Sequence, residues 1–338
     1  MDRHHYVTNP SAVSTGRLPR VERVRALVRE AHRLFEANDE GENASHYPAL
    51  ASVPRDLFGI CVASVNGELA AAGDAERPFT IMSIAKPFVF ALVCQALGAE
   101  RARDLLGVCS TGLPFDSVVA IEEFDLTNPM VNSGAIAATS LVPGATAEAK
   151  WRFIHGGLSR FAGRTLAIDG AVLASASASN GRNQAIARLL QCHERIYFDP
   201  AATTDLYTRQ SCLSVTARDL AVMSATLADG GVNPITGEQV IDAEQCPPVL
   251  AVMATAGLYE TTGDWLYDIG LPGKSGVGGG IITVAPGKGG MATFAPPLDH
   301  AGNSVRGQLA ARFLSEQLGL SLFASRPASP DRDGQANG

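Results

Sequence analysis

Charge is scarce in this chain. Asp, Glu, Lys and Arg make up 18% of its 338 residues, and the formal net charge is −7. Lys and Arg form no basic patch, so nothing points to a nucleic-acid surface. No Cys-x-x-Cys pair occurs among the six cysteines Cys61, Cys94, Cys109, Cys192, Cys212 and Cys246. They read as scattered, mostly buried thiols of a reducing compartment. The seven histidines show no metal-ligand spacing, and the adjacent His4-His5 lies in a polar start. Residues 1–20 lack the apolar core of a signal peptide. The longest apolar run, Phe88 to Leu97, contains Gln95 and is too short to cross a membrane. These absences lead us to expect a soluble, cytoplasmic protein with no nucleic-acid or membrane partner. No internal repeat is present.

Apolar residues, in contrast, amount to 46%. That supports a sizeable core and excludes a disordered chain. The length suits one large domain or two lobes. Val21, Val24, Leu27, Val28, Ala31, Leu34 and Phe35 recur at helical spacing, which predicts an amphipathic helix over 20–37. Leu57 to Val65 alternates like a strand, and Asn66-Gly67 turns it into Glu68 to Ala72 as a type I′ hairpin. Ser83 to Leu97 reads as a buried helix with Pro87 in its first turns, where a missing N–H costs least. Residues 101–170 read as short helices and loops. Asn183 to Cys192 and Thr216 to Ala228 are predicted helices, the second preceded by Ser214. Gly280 to Ala285 and Met291 to Ala295 form a hairpin across Pro286–Gly290, and Asn303 to Leu318 is a closing helix. Strands thus come early and late with helices between. The pattern predicts an α+β architecture: an antiparallel sheet built from both chain ends, flanked by helices, with an inserted helical lobe. The Pro-, Ser-, Asp- and Gly-rich stretch 325–338 reads as a disordered tail.

Three stretches carry chemistry. In Ser83-Ile-Ala-Lys86 the serine and lysine stand three apart on one helix face, at an N-terminus that favours developing negative charge. A neutral lysine there could take the serine's proton, and burial or a neighbouring cation would make it neutral. By itself S-x-x-K is weak. The second stretch, Lys274-Ser-Gly-Val-Gly-Gly-Gly280, precedes a strand, and the glycines permit close backbone approach. A Lys-Ser-Gly strand beside an S-x-x-K helix is the arrangement of penicillin-recognising serine enzymes, where a strand N–H pairs with the serine N–H as an oxyanion hole. The third, Asn128-Pro-Met-Val-Asn132, offers an Asn that either holds a polar substrate group or braces a loop. Asn183 stands near a helix start and could be only a cap. Tyr207 and Tyr259 could relay protons or be core residues with a wet tip.

In order and spacing, these segments resemble the serine-dependent glutaminase family, of β-lactamase/DD-transpeptidase-like fold. The likeness runs from about Arg20 to Phe323. It rests on Gly73-Asp74, Phe79 to Phe90, Asn128 to Ile136, Arg182-Asn183, Tyr207 with Gln210, Gly257-Leu-Tyr259, Lys274 to Ile281, and the stretch Phe294 to Gly307. The domain would then span 20–323, with 1–19 an N-terminal extension. The resemblance implies hydrolysis of L-glutamine to L-glutamate and ammonia, without metal or organic cofactor, by a homodimer or homotetramer. Ser83 would be the nucleophile, Lys86 its base and Tyr259 a proton-transfer residue. Ser83 and Val277 would supply the oxyanion N–H groups, and Asn132, Asn183 and Tyr207 would hold substrate.

The sequence also departs from the family. A Ser-Glu pair, whose Glu grips the substrate's α-ammonium, usually stands seven residues before the helix Asn; here it is Ser175-Ala176. The covering loop usually reads Asp-Tyr-Ile-Pro; here it is Ser45-His46-Tyr47-Pro48. Met82 replaces a usual Gln, and Ser211-Cys212 reverses a usual Cys-Ser. A charge-assisted hydrogen bond contributes about 1.5–3 kcal/mol. Leaving a charge buried without its partner costs about 3–5 kcal/mol. Unless another acid serves, glutamine turnover would fall by about two to three orders of magnitude. The alternatives are an amidase of the same family with altered substrate choice, or a weakened ligand-binding homologue. A penicillin-binding enzyme would carry Ser-x-Asn, but Asn132 follows Met130-Val131.

Overall fold

The computed structural model describes residues 16–45, 47–123 and 127–325. Residues 1–15 of the expected extension, His46 of the covering loop and residues 326–338 of the expected tail lie outside them. The described residues form eight strands: β1 (Gly59–Ser64), β2 (Leu69–Gly73), β3 (Phe79–Thr80), β4 (Ala167–Ile168), β5 (Leu213–Val215), β6 (Gly273–Gly276), β7 (Gly280–Ala285) and β8 (Gly289–Phe294). Five of them make an antiparallel sheet in the order β2-β1-β8-β7-β6; the rest make a small sheet, β3-β5-β4. The two chain ends meet where β1 pairs β8, from Gly59 opposite Phe294 to Ser64 opposite Gly289.

Every residue of β1, β7 and β8 is buried. The alternation expected for β1 therefore separates two cores rather than core from solvent. Ile60 and Val62 pack with the helices Val21–Phe35 and Val305–Leu318 on one face. Cys61 and Ala63 pack with the helices Ala85–Leu97 and Ala217–Ala228 on the other. The β1–β2 turn is not type I′. Gly67 alone enters the left-handed region, at φ 82°, and its N–H donates to Ser64 O. A type I′ turn needs two such residues, and Asn66 keeps its φ negative.

The inserted lobe holds more helix than the sequence reading gave it. Ala147–Ala162 is one helix of 16 residues, capped by the Thr146 side chain and closed by Gly163 at φ 71°. The Gly156-Gly157 pair inside it looks like a breaker. Yet Gly157 is where Leu92 packs: a Cβ there would come 2.4 Å from Leu92 Cδ1. The helix Pro200–Ser211 also went unpredicted. Thr216, not Ser214, caps Ala217–Ala228, in a reciprocal capping box with Asp219. These three helices pack around Ala85–Leu97 or its neighbours, and Ser83 lies at that helix's entrance, between lobe and sheet.

Candidate active site

Ser83 sits in a one-turn 3-10 segment, Met82–Ile84, that joins β3 to Ala85–Leu97. Met82 holds φ at 48°, a conformation costing an L-residue about 1–3 kcal/mol, which concentrates at functional turns. Strand β6 and the turn after it press against this segment. A Cβ on Gly276 would come 3.1 Å from Ile81 O, and one on Gly278 would come 2.7 Å from Thr80 O. The glycine run thus lets the backbone of Val277, between those two residues, lie beside the Ser83 turn. Val277 packs near Met82, and its N–H has no backbone partner among the described residues.

Lys86 is 2% exposed. Its Nζ donates to Asn132 Oδ1 (2.7 Å) and to Met130 O (3.2 Å) rather than to Ser83 Oγ. Burial pulls its pKa down to about 7, against the pull of Asp116 in the other direction. That shift brings the neutral amine within reach near neutral pH, as a general base requires. Lys274 is fully buried; its Nζ donates to Ser275 O (2.8 Å). Burial first, and then Lys86, lower its pKa well below the ordinary lysine value. The ring of Tyr259 lies near both ammonium positions, 4.0 Å from Lys274 Nζ and 5.5 Å from Lys86 Nζ.

Tyr259 is itself a left-handed residue, at φ 58°, and is 3% exposed. Its Oη has no hydrogen-bond partner among the described residues. The hydroxyls of Ser83 and Ser275 lie close enough to ease a pKa that burial raises. Phe115 stacks at a tilt on the ring, 5.1 Å between centroids. Tyr207 donates from Oη to Asn132 Oδ1 (3.1 Å), so Asn132 accepts from both Lys86 and Tyr207. Burial chiefly raises the Tyr207 pKa, with Tyr259 and Tyr47 adding to it and Ser83 opposing. Asn132 heads the helix Asn132–Leu141, and its N–H donates to Phe115 O (2.7 Å). Asn183 is not a cap. The helix starts at Gly181, and the Asn183 side chain accepts from Asn132 Nδ2 (3.0 Å) and donates to Asn180 Oδ1 (3.1 Å).

Lys86, Asn132, Asn183 and Tyr207 are joined by side-chain hydrogen bonds, Tyr259 lies beside Ser83, and the Val277 backbone lies beside the Ser83 turn, so the structure brings these seven residues together. Tyr47 was missed. It packs beside Ala176 and Met82, and its phenol is near enough to Tyr207 to raise that residue's pKa. The sequence signal for it is a tyrosine one place after the position where the family's covering loop carries one. The departures at Met82, Ala176 and Cys212 also converge, in one small apolar cluster with Leu50, Val172 and Leu298. At the mouth, a groove of about 380 Å³ beside Phe115 and Val277 carries Glu42, Asp116, Glu260 and Asp299. Asp116 faces Arg182 at 3.5 Å, whereas Glu260 makes no ion pair among the described residues.

The geometry has counterparts in known proteins. A family model described as Glutaminase matches residues 41–323. Glutaminase 2 of Yersinia pestis is 62% identical over 317 residues, covering 93% of each chain. A solved structure described as the probable glutaminase ybaS superposes with a TM-score of 0.88 at 40% identity, over 90% of this chain and 99% of that one. A probable glutaminase from Bacillus subtilis, complexed with 6-diazo-5-oxo-L-norleucine, gives a TM-score of 0.79 at 30% identity over 90% and 97%.

Proposed function

The chain belongs to the glutaminase family, and on that premise we propose that it hydrolyses L-glutamine to L-glutamate and ammonia through an acyl-enzyme on Ser83. The observation that carries the mechanism is Lys86: a buried lysine with its pKa near 7, one helical turn from a half-buried serine. Neutral Lys86 takes the Ser83 proton as Oγ attacks the side-chain amide carbon. The oxyanion forms against the N–H groups of Ser83 and Val277. Ammonia leaves with a proton delivered through Tyr259, whose unpartnered Oη lies beside Ser83. Water then attacks the ester by the reverse proton path, releasing L-glutamate and free Ser83.

Asn132 and Asn183 each keep a second amide N–H, and Tyr207 keeps its hydroxyl oxygen as an acceptor, for the substrate's polar end. Glu260 at the mouth supplies the negative charge that Ala176 lacks, which favours glutamine over an uncharged analogue. The chain works in the cytoplasm as a dimer or tetramer. Its six free cysteines and the exposed Tyr267 (92%) and Phe323 (67%) fit that setting, and light scattering would give the mass. Among the described residues no single helix is long and apolar enough to cross a membrane.

The test is ammonia release from L-glutamine by the full chain and by Ser83→Ala. We expect a loss of about 10⁴-fold or more in the variant. Equal rates would remove Ser83 from the mechanism.

A further inference from the structure

A directional relay of side chains runs from Lys86 away from the nucleophile. Lys86 and Tyr207 both donate to Asn132, so its Oδ1 must face them and its Nδ2 must face outward. Asn132 Nδ2 donates to Asn183 Oδ1 (3.0 Å), and Asn183 Nδ2 to Asn180 Oδ1 (3.1 Å). Asn180 Nδ2 donates to Thr208 Oγ1 (2.7 Å), and the Thr208 hydroxyl donates to Thr204 O (2.8 Å). All of these residues are buried. Reversing Asn132 or Asn183 would set donor against donor at one contact and acceptor against acceptor at the other, so these members are oriented together.

The relay ends on the wall of a cavity of about 270 Å³, lined by Asn180, Gln184, Arg188, Thr204, Asp205 and Thr208. It shares no lining residue with the groove at the mouth. Arg188 makes no ion pair or hydrogen bond among the described residues, and Asp205 has only Arg209 at 4.0 Å. Asn180 Nδ2 retains a second N–H beyond the one given to Thr208. The exposed Arg188 and Asp205 and the spare amide donor of buried Asn180 thus line one open pocket on the surface. That set complements the carboxylate and ammonium of a zwitterion.

We propose that this cavity is a second ligand site, for a small α-amino acid, and that its occupancy adjusts the relay that holds Lys86. Binding stands apart from the catalytic reading, whereas the coupling to turnover rests on it. Because L-glutamine is itself an α-amino acid, it would fill both sites.

The binding test uses the full chain blocked at Ser83 with 6-diazo-5-oxo-L-norleucine and titrated with L-glutamate by calorimetry. One equivalent is expected to bind, and Arg188→Gln and Asp205→Asn should each weaken it about tenfold or more. No binding to the blocked chain, or equal binding in both variants, would overturn the site. A chain that resists labelling counts against Ser83 alone, and comparing unblocked wild type with Arg188→Gln then decides the second site. The coupling test is the rate curve for L-glutamine. Wild type should depart from a hyperbola, and Arg188→Gln should return to one. Asn180→Ala cuts the relay and removes one donor of the site, so it should also give a hyperbola while the blocked chain binds its equivalent more weakly. A hyperbola in wild type, or a Hill slope unchanged by Arg188→Gln, would overturn the coupling.

Discussion

On the Asn132 side of the pocket, Lys86, Tyr207, Asn183 and Asn180 join through side-chain hydrogen bonds of 2.7–3.1 Å. On the Ala176 side, Met82, Cys212, Leu50 and Val172 present carbon and sulfur. The first wall orients a base and a substrate group, and each member needs the others to stay satisfied. The second wall can only shape space. Chemistry and recognition have therefore been separated here. Under the proposed function the proton-handling residues lie on the first wall, and Glu260 in the neighbouring groove takes the ammonium-reading role that Ala176 cannot fill. Buried lysines show the same division. Three of the four lysines in the chain are buried. Lys150 Nζ clips the end of Asn132–Leu141 through Ser140 O (2.9 Å) and Val142 O (2.6 Å), whereas Lys86 and Lys274 flank a phenol beside the nucleophile.

Breaking the polar wall should do the most harm. Lys86→Met should lower kcat by about 10³–10⁴-fold in the ammonia assay. It should also change stability in a defined way. Folding lowers the Lys86 pKa from 10.5 to about 7, so between those values the unfolded chain holds more protons and stability rises with pH. Lys86→Met should flatten that rise in thermal unfolding across the same window, and an unchanged slope would contradict the burial argument. Tyr259→Phe should follow, with a loss of about 10²–10³-fold in kcat and little change in KM. Asn132→Ala strands the donors of Lys86 and Tyr207. We expect losses in both kcat and KM and destabilisation of about 1–3 kcal/mol in urea unfolding.

Changes to recognition should be smallest. Glu260→Gln should raise KM for L-glutamine about tenfold with kcat nearly constant. Adding Ala176→Glu to that variant should recover the loss, which would show that the two positions do the same work from opposite sides. A KM unmoved by Glu260→Gln would place the ammonium elsewhere.

Much of this was legible in the sequence because it is local. Ser83 and Lys86 share a helix face, Lys274 to Gly280 precede a strand, and the sheet's two halves show in strand patterns at each end. Other features depend on partners far along the chain. Lys86 finds Asn132 and Met130 across more than 40 residues, and no spacing announces that. Asn183 looked like a cap because its side chain's partners, Asn132 and Asn180, appear only when two helices pack. Ala147–Ala162 carries a glycine pair, of which Gly157 makes room for Leu92 rather than for a turn, and sequence alone does not show that partner. The apolar cluster was visible only as separate oddities at positions 82, 176 and 212, and their convergence is a property of the fold.

The most direct test of a neutral Lys86 acting on Ser83 is kcat/KM for L-glutamine measured from pH 5.5 to 8.5. The account predicts a tenfold fall per unit below a break near 7, as Lys86 takes up its proton, and a plateau above it. A profile flat through that range, or one falling as pH rises through 7, would contradict it.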